Sequence, residues 1–550
     1  MIPAIILAKS RTNMARLKKR YWLSLSILIF ITILGLLGWR YWQEFKQEYG
    51  FSINWQGAHI NLSGLSFDQL IVNKEAQFTV TAKDVVISWS KLSAQNLNID
   101  WQSSDSKIAT DNTKNIVETA SEKQNQSGFD YSFIPTIVYW LPSTIDIDSL
   151  RVYEQNQELF DVKITATKQQ QGIHVDVSAN NQYVANLSAT LLFNQSDLRV
   201  DIQNGVLTTT LNQFGIENGK ILLPFTGWIT NNRFELTNSG NASVTIEKAN
   251  LSDDSIFSQL NGALTFKVQS PIPVEPKQIL ATAKLTLNKF NGIYKNSEIK
   301  SATGNINVDI KNKQFTVSLP TLNIQEINMG IALQQVKLSG SYTASFNRPS
   351  KGTIIWKKAQ AAIFSGSIFL EAGKLNLAKL PQQFNLRLKQ IQLKDIFAAY
   401  PAEGLAGEGA IDGLLPITLL SVNKKEGVTF KPIIKKGQLT TTNQGYLQFE
   451  NSALKNYAKS NPNMKILTDI IKNFHYTKLD GTVDYADDVA KLGLHIQGHN
   501  LDVEDGKAVN LNVTLEENIA KLLMSLQLSD QISEPIRKRI EAHLKKESAK

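Results

Sequence analysis

The sequence predicts a mainly β protein in which one N-terminal transmembrane helix leads into an elongated antiparallel β-sheet with few short helices. Three observations carry this expectation. Nineteen uncharged residues, YWLSLSILIFITILGLLGW, lie between Arg20 and Arg40. Beyond them apolar side chains recur at every second position over most of the chain, the pattern of strands with one face turned from water. Helical periodicity is confined to residues 396–400, 452–474 and the segment after 533. At 550 residues the chain also exceeds the size at which one compact core keeps growing, so several domains or an extended repetitive body are expected.

As a helix the nineteen-residue run would be about 28 Å long, close to the hydrocarbon thickness of a bilayer, and the transmembrane helix is taken as residues 21–41. Tyr21 and Trp22 at one end, with Trp39, Tyr41 and Trp42 at the other, suit the two membrane interfaces. Six basic residues between Lys9 and Arg20 precede the run, whereas Arg40 and Lys46 are balanced by Glu44 and Glu48. The positive-inside rule then places residues 1–20 in the cytoplasm and the body on the far side of the membrane. A cleaved signal peptide is the alternative, but the run is longer than a usual signal core and ends in bulky aromatics instead of small residues.

Residues 42–101 read as an N-terminal strand module. Residues 102–128 are polar and lack aromatics, which predicts a linker or surface loop. In the central body, residues 129–390, Ile173, Val175 and Val177 can oppose Leu187, Ala185 and Tyr183 across Asn180 and Asn181. Leu191, Ala189 and Leu187 can then oppose Leu198, Val200 and Ile202 across Asn194 and Gln195. Farther along, the polar stretch from Lys311 to Gln314 sets Ile310 opposite Phe315, Val308 opposite Val317 and Ile306 opposite Leu319, three apolar pairs on one face.

Residues 391–528 form a C-terminal β domain in which Val483 and Tyr485 are expected opposite Leu494 and Leu492, around a loop holding Asp487 and Asp488. The glycines and Pro416 between Gly404 and Pro416 mark turns and sheet irregularities. In residues 529–550, Ser533, Glu534 and Pro535 start a helix whose Ile536, Ile540 and Leu544 recur every four residues among Arg537, Lys538, Arg539, Lys545 and Lys546. Such a helix either caps the last sheet edge or lies on a membrane surface.

A one-faced sheet must cover its apolar side, by stacking into sandwiches or by curling around a groove. Leu285, Leu287, Ile306, Val308, Ile310, Phe315, Val317 and Leu319 are the candidates for lining a groove. They are equally suited to an ordinary closed core, and periodicity does not separate the two.

Composition excludes several functions. The net charge of +9 resides at the ends: residues 1–46 carry eight basic and one acidic side chain, residues 537–550 six and two, and the body between is close to neutral at −2. Nothing there attracts nucleic acid. The absence of cysteine removes disulfides, thiolate metal sites and a cysteine nucleophile together. No phosphate-binding loop, dinucleotide fingerprint, serine-hydrolase elbow or zinc-protease motif occurs, so no enzyme and no cofactor are expected. His495 and His499 share one strand face and would need Asp502 or Glu504 to complete a metal site; two polar residues on the wet side are the simpler expectation. Asp484, Asp487 and Asp488 resemble paired catalytic carboxylates, but two of them sit in the expected turn.

The order of several blocks resembles the AsmA-like proteins of Gram-negative envelopes, and among them the YdbH family. These are LSGLSFDQLIVNKEAQFTVTAKDVVISWSKL at 62–92, AGEGAIDGLLPITL at 406–419, GQLTTTNQGYLQF at 437–449, FHYTKLDGTVDY at 474–485 and LNVTLEENIAKLLMSLQL at 511–528. The resemblance implies a curled, taco-shaped sheet whose apolar groove carries phospholipid acyl chains between inner and outer membranes. It also implies a single-pass inner-membrane protein with a periplasmic body, and an outer-membrane lipoprotein partner that extends the sheet by strand addition. For that partner, residues 511–528 are the expected edge strands. The competing function is a structural tether or assembly factor of the envelope that carries no lipid. An outer-membrane barrel conflicts with the N-terminal helix.

Overall fold

A computed structural model describes residues 40, 43, 44, 46, 50–61, 64–74, 78–101, 141–154, 157–179, 184–194, 199–212, 215–230, 232–252, 255–272, 274, 275, 277–400, 404–424, 427–450, 452–529, 534, 536–538, 540 and 541. These residues are mainly strand, with few short helices. No helix among them is long and apolar enough to cross a membrane. Tyr21, Trp22, Trp39, Tyr41 and Trp42 lie outside the described residues, as do residues 102–128. The chain divides into two compact units, residues 1–182 with 191–198, and residues 183–190 with 199–550.

In the first unit, strand Gly64–Lys74 receives Phe51–Gln56 and His59–Asn61 along one edge and Phe78–Ile87 along the other. Lys91–Trp101 follows antiparallel and then pairs in parallel with Thr144–Glu154. A parallel joint requires a long crossover, and the two strands are 42 residues apart in sequence. Gln157–Gln169 and Gly172–Ala179 continue antiparallel. Alternation pays one face into a small core of Ala82, Val85 and Ala94 against Phe67, Leu70 and Leu97. At the start of the parallel pair Asp146 sits 2.9 Å from Lys91 and 3.8 Å from Lys163. The Lys91 hydrogen bond, foremost, holds its carboxyl below the usual range.

The second unit is dominated by long strands: Ser255–Pro271, Leu280–Tyr294, Ser297–Lys311, Gln314–Asn328, Ala332–Ser345 and Arg348–Ile363, each antiparallel to the next. The turns at Asn312 and Lys313 (φ 54° and 62°) and at Asp487 and Asp488 (φ 49° and 66°) place both central residues in the left-handed region. Such two-residue turns match the twist of the strands they join. Ile310 pairs with Phe315 and Val308 with Val317, as the alternation predicts. The expected Ile306–Leu319 pair is not formed, because the ladder shifts register between Asn305 and Asn307; Pro320 has no N–H to give a ladder. The C-terminal hairpin also departs from expectation by two residues. Val483 meets Leu492 and Tyr485 meets Ala490, because the Asp487–Asp488 turn is tighter than a loop would be.

Register shifts interrupt most of the long ladders of this unit, and residues with positive φ mark them: Ser301, Gln335, Gln390 and Lys436. Three of these carry their freed N–H to a side chain, Ser301 to Asn291 Oδ1 (2.6 Å), Gln390 to Asp412 Oδ1 (2.7 Å) and Lys436 to Asp484 Oδ1 (2.9 Å). The donors are thereby satisfied while each bulge bends its strand and tightens the local twist. Pro416 falls within one such shift, between Leu414 and Ile417.

Short helices are set between strands. Leu393–Ala399 ends where Tyr400 turns extended, as the residue before Pro401 is biased to do. Ser452–Ser460 and Pro462–Ile471 divide the expected helical stretch in two, with Pro462 opening the second where its missing N–H costs nothing. The helix Ile519–Ser529 stands where residues 511–528 were expected to be strand throughout. Asn518 Oδ1 accepts the Lys521 N–H at 2.9 Å and so caps it.

The principal core gathers Ile391, Leu393, Ile411, Phe474, Tyr476, Leu479 and Ile496. A second cluster lies under Ala302, Ile324, Val336 and Ala361. A third joins Ile293 to Ile536 and Ile540, each of the last two 1% exposed. Two residues of the apolar stripe after Ser533, Ile536 and Ile540, are therefore buried within the fold, and Leu544 lies outside the described residues. Gln527 Nε2 donates to Asn296 O at 2.7 Å, tying the Ile519–Ser529 helix to the turn between two of the long strands.

Candidate functional site

The eight groove candidates fall on three consecutive long strands, and the ladders align them into rows. Phe266, Ala283, Val308, Val317, Tyr342, Ile354 and Leu375 stand opposite one another through six successive ladders. Val268, Ala281, Ile310, Phe315 and Ala344 form the row beside it. On the other side Leu264 meets Leu285 and Leu285 meets Ile306. Directly paired residues share a face, so these rows make one continuous apolar surface. At about 4.8 Å per strand the longest row runs roughly 29 Å.

How far this surface is covered separates a groove from a core. Leu285, Ile306, Val308, Ile310, Phe315, Val317 and Leu319 are half-buried, and they belong to none of the buried clusters described above. Leu287, at 6% exposed, is buried and marks the transition. Toward the other end of the same strands the side chains enter the cluster around Ala302 and Ile324, which is closed. The half of the strands carrying the candidates is thus only partly covered, whereas the half around Ala302 and Ile324 is closed.

The opposite face is polar. Thr282, Asp309, Thr316, Thr343 and Thr353 form a row there, with Thr316 and Thr343 hydroxyls 2.9 Å apart. Lys300 bridges Glu326 at 2.8 Å and Glu298 at 3.8 Å. The Glu326 hydrogen bond, outweighing burial, keeps the Lys300 ammonium charged to higher pH than usual.

At the mouth of the apolar face the rings of Phe315, Tyr342 and Phe346 cluster, with centroids 6.0 Å and 5.6 Å from Phe315. The Tyr342 hydroxyl donates to Pro349 O and accepts from the Gly352 N–H at 3.1 Å. Sequence reasoning missed Phe266, Ala281, Ala283, Tyr342 and Ile354 as members of these rows. The alternation in GALTFKV at 262–268 and ATAKLTL at 281–287 was the available signal.

The polar candidates have structural partners. His495 Nδ1 lies 2.8 Å from Asn512 Oδ1 and its Nε2 3.1 Å from Gln497 Nε2. His499 instead stacks on His475 at 6.2 Å. Glu504 pairs with Lys507 at 3.7 Å and Asp502 accepts from Asn473 at 3.5 Å. Asp484 accepts the Lys436 N–H, Asp487 binds Lys431 at 2.8 Å, and Asp488 accepts from the Tyr485 hydroxyl at 3.3 Å.

The final strand, Val509–Asn518, pairs with Val489–His499 on one side and with no other strand among the described residues. Its Leu511, Val513 and Leu515 register with Ile496, Leu494 and Leu492, so the apolar face continues to an open edge where Leu515 is 51% exposed.

Residues 265–541, just over half the chain, match the family described as YdbH-like, intermembrane phospholipid transport protein YdbH. No curated protein and no solved structure matches. The matched stretch holds most of the apolar rows, the principal core and the open edge.

Proposed function

Because the chain belongs to the YdbH-like family, whose description is one of lipid transport and not of an enzyme class, we propose that its half-open apolar face carries phospholipid acyl chains between the inner and outer membranes. The observation that carries this reading is the continuous apolar row from Phe266 to Ile354, half-buried along strands whose other ends close into an ordinary core. A long apolar stripe that is only partly covered is suited to binding an apolar ligand or partner.

The physics suits a conduit. Each methylene withdrawn from water contributes about 0.8 kcal/mol, so a 16-carbon chain crossing water meets a barrier of roughly 10 kcal/mol that a continuous apolar path lowers without any covalent step. The remainder of the proposal follows the same logic. Residues 21–41 hold the chain in the inner membrane with its N-terminus cytoplasmic, and the body stands in the periplasm. The open edge at Val509–Asn518 offers unpaired backbone groups to an outer-membrane lipoprotein that adds a strand.

Photo-crosslinking probes placed at Val308 and Val317 test the conduit, against Asn307 and Thr316 on the opposite face. Phospholipid adducts are expected from the first pair only. Equal labelling of both faces would sink the groove. Probes along Val509–Asn518 should give an outer-membrane adduct of alternating intensity, since successive side chains face opposite ways.

A further inference from the structure

The last strand lies far from the long strands along the ladders and close to them in space. From Ser297–Lys311 to Val509–Asn518 the sheet passes through ten successive ladders, which laid flat would span about 48 Å. Followed row by row, the turns at Asn296 and Gly330 correspond to the Val509 end of the last strand, with Asn518 at its other end. Yet the Ile519–Ser529 helix carries the chain from Asn518 to both turns, and the rise from Asn518 to Gln527 is only about 14 Å. This part of the sheet is therefore curled back on itself. A twist of about 20–25° per strand, summed over the ladders, turns the strand direction by more than about 180°. That rotation brings the Asn518 end round to the two turns.

The helix is fixed at both ends. At its start the Ile519 N–H donates to Asp488 O at 2.8 Å, and the Tyr400 hydroxyl donates to Glu517 Oε2 at 3.0 Å. These bonds root it in the last strands and the Leu393–Ala399 helix. At its far end Gln527, 3% exposed, reaches a carbonyl 231 residues earlier in the chain. A buried amide is tolerated only where its hydrogen bonds are completed, so this contact suits one placement of the helix. Gly330, with φ 102°, lies so near the Leu523 carbonyl that a Cβ there would stand 2.5 Å from the oxygen. Met524 and Ile256 pack against the cluster of Ile293, Ile536 and Ile540.

No ladder closes the curl among the described residues. A barrel is closed by pairing its first strand with its last, whereas Val509–Asn518 pairs only with Val489–His499. An open twisted sheet is free to flex about its ladders, and the helix is what spans the gap. We propose that the Ile519–Ser529 helix is a clasp that holds this sheet in its curl, setting the separation between the last strands and the long ones. The clasp concerns the curl alone and stands whether or not the apolar face carries lipid.

The test measures that separation in the full chain. Gln325→Cys and Thr514→Cys, both at exposed positions of a chain with no cysteine of its own, carry spin labels, and pulsed electron paramagnetic resonance reads the distance between them. Two variants release the clasp. Met524→Asp with Gln527→Ala removes the contacts of its far end, and Gly330→Ala sets a Cβ against the Leu523 carbonyl. Far-ultraviolet circular dichroism of the same samples reports whether the strands persist. The unaltered chain should give one narrow distance. In the variants the strand signal should persist while the distance broadens and lengthens by at least about 5 Å, one strand spacing. An unchanged distance in a variant that keeps its strand signal would overturn the clasp. Loss of the strand signal in both variants would overturn it too, because the helix would then belong to a single cooperative core.

Discussion

Placing a carboxylate at Val317 distinguishes an open face from a closed one by its cost to folding. Val317 lies mid-row between Val308 and Tyr342 and is half-buried. Burying a valine completely is worth about 1.5–3 kcal/mol, so its half-covered side chain contributes about 1 kcal/mol. An aspartate there remains in contact with water and adds little desolvation, for a total cost of about 1–2 kcal/mol. Ile324 sits farther along the same strand, 5% exposed within the closed cluster. Ile324→Asp would strand a charge among apolar neighbours and cost more than about 4 kcal/mol.

Urea unfolding of the full-length protein, followed by far-ultraviolet circular dichroism, reads both values. Lipid adduct yield at Val308 reads the functional effect. Val317→Asp is expected to stay folded while losing most adduct, because an acyl chain lying over the row would have to cover the carboxylate. Ile324→Asp is expected to lose the folded protein. Equal destabilisation by the two substitutions would show that the face is covered, and the groove reasoning would fall.

Tyr476 is 1% exposed with its hydroxyl donating to Glu408 O at 2.9 Å, so Tyr476→Phe should cost about 1–2 kcal/mol by the same unfolding measurement. Ile540→Ala should cost about 2–3 kcal/mol, since Ile540 fills the small cluster with Ile293 and Ile536; an unchanged transition would mean this segment is not docked. The Glu235 carboxyl is held below its ordinary 4.5, first by the Gln269 amide and then by Lys267. A depressed carboxylate stabilises the fold above its unfolded pKa and loses that contribution as pH falls through the folded value. Thermal midpoints measured downward from pH 6 should therefore drop less steeply for Glu235→Gln than for the unaltered chain.

The legible parts of this fold were those where local chemistry and register agree. The Val308–Val317 and Ile310–Phe315 pairs could be read because four polar residues separate two clean alternations, and the Asn312–Lys313 turn closes them symmetrically. The Ile306–Leu319 pair failed at a bulge whose signal, Pro320, was present in the sequence. The Ile519–Ser529 helix was also legible, since Asn518 is a capping residue and Ile519, Leu522, Leu523 and Leu526 follow helical spacing. The alternation of LNVTLEEN ran into it and masked the change of period. What no pattern could supply was whether the apolar rows are covered. Half-burial at Val317 and closure at Ile324 come from side chains far away in sequence, while both residues belong to alternating runs of one strand, on either side of a register shift.

The ladders from Ser255–Pro271 to Arg348–Ile363 have a further consequence for how such a protein can change over time. Among the described residues the four strands from Leu280–Tyr294 to Ala332–Ser345 each pair with the strand before and the strand after, so a hairpin can be gained or lost there without disturbing the pairing of distant strands. Strand polarity is preserved when strands come and go in twos, and each such step alters the width of the sheet by about 9–10 Å. Duplication or loss of some thirty residues would thus act as a ratchet of fixed stride, letting descendants of one chain fit envelopes of different depth.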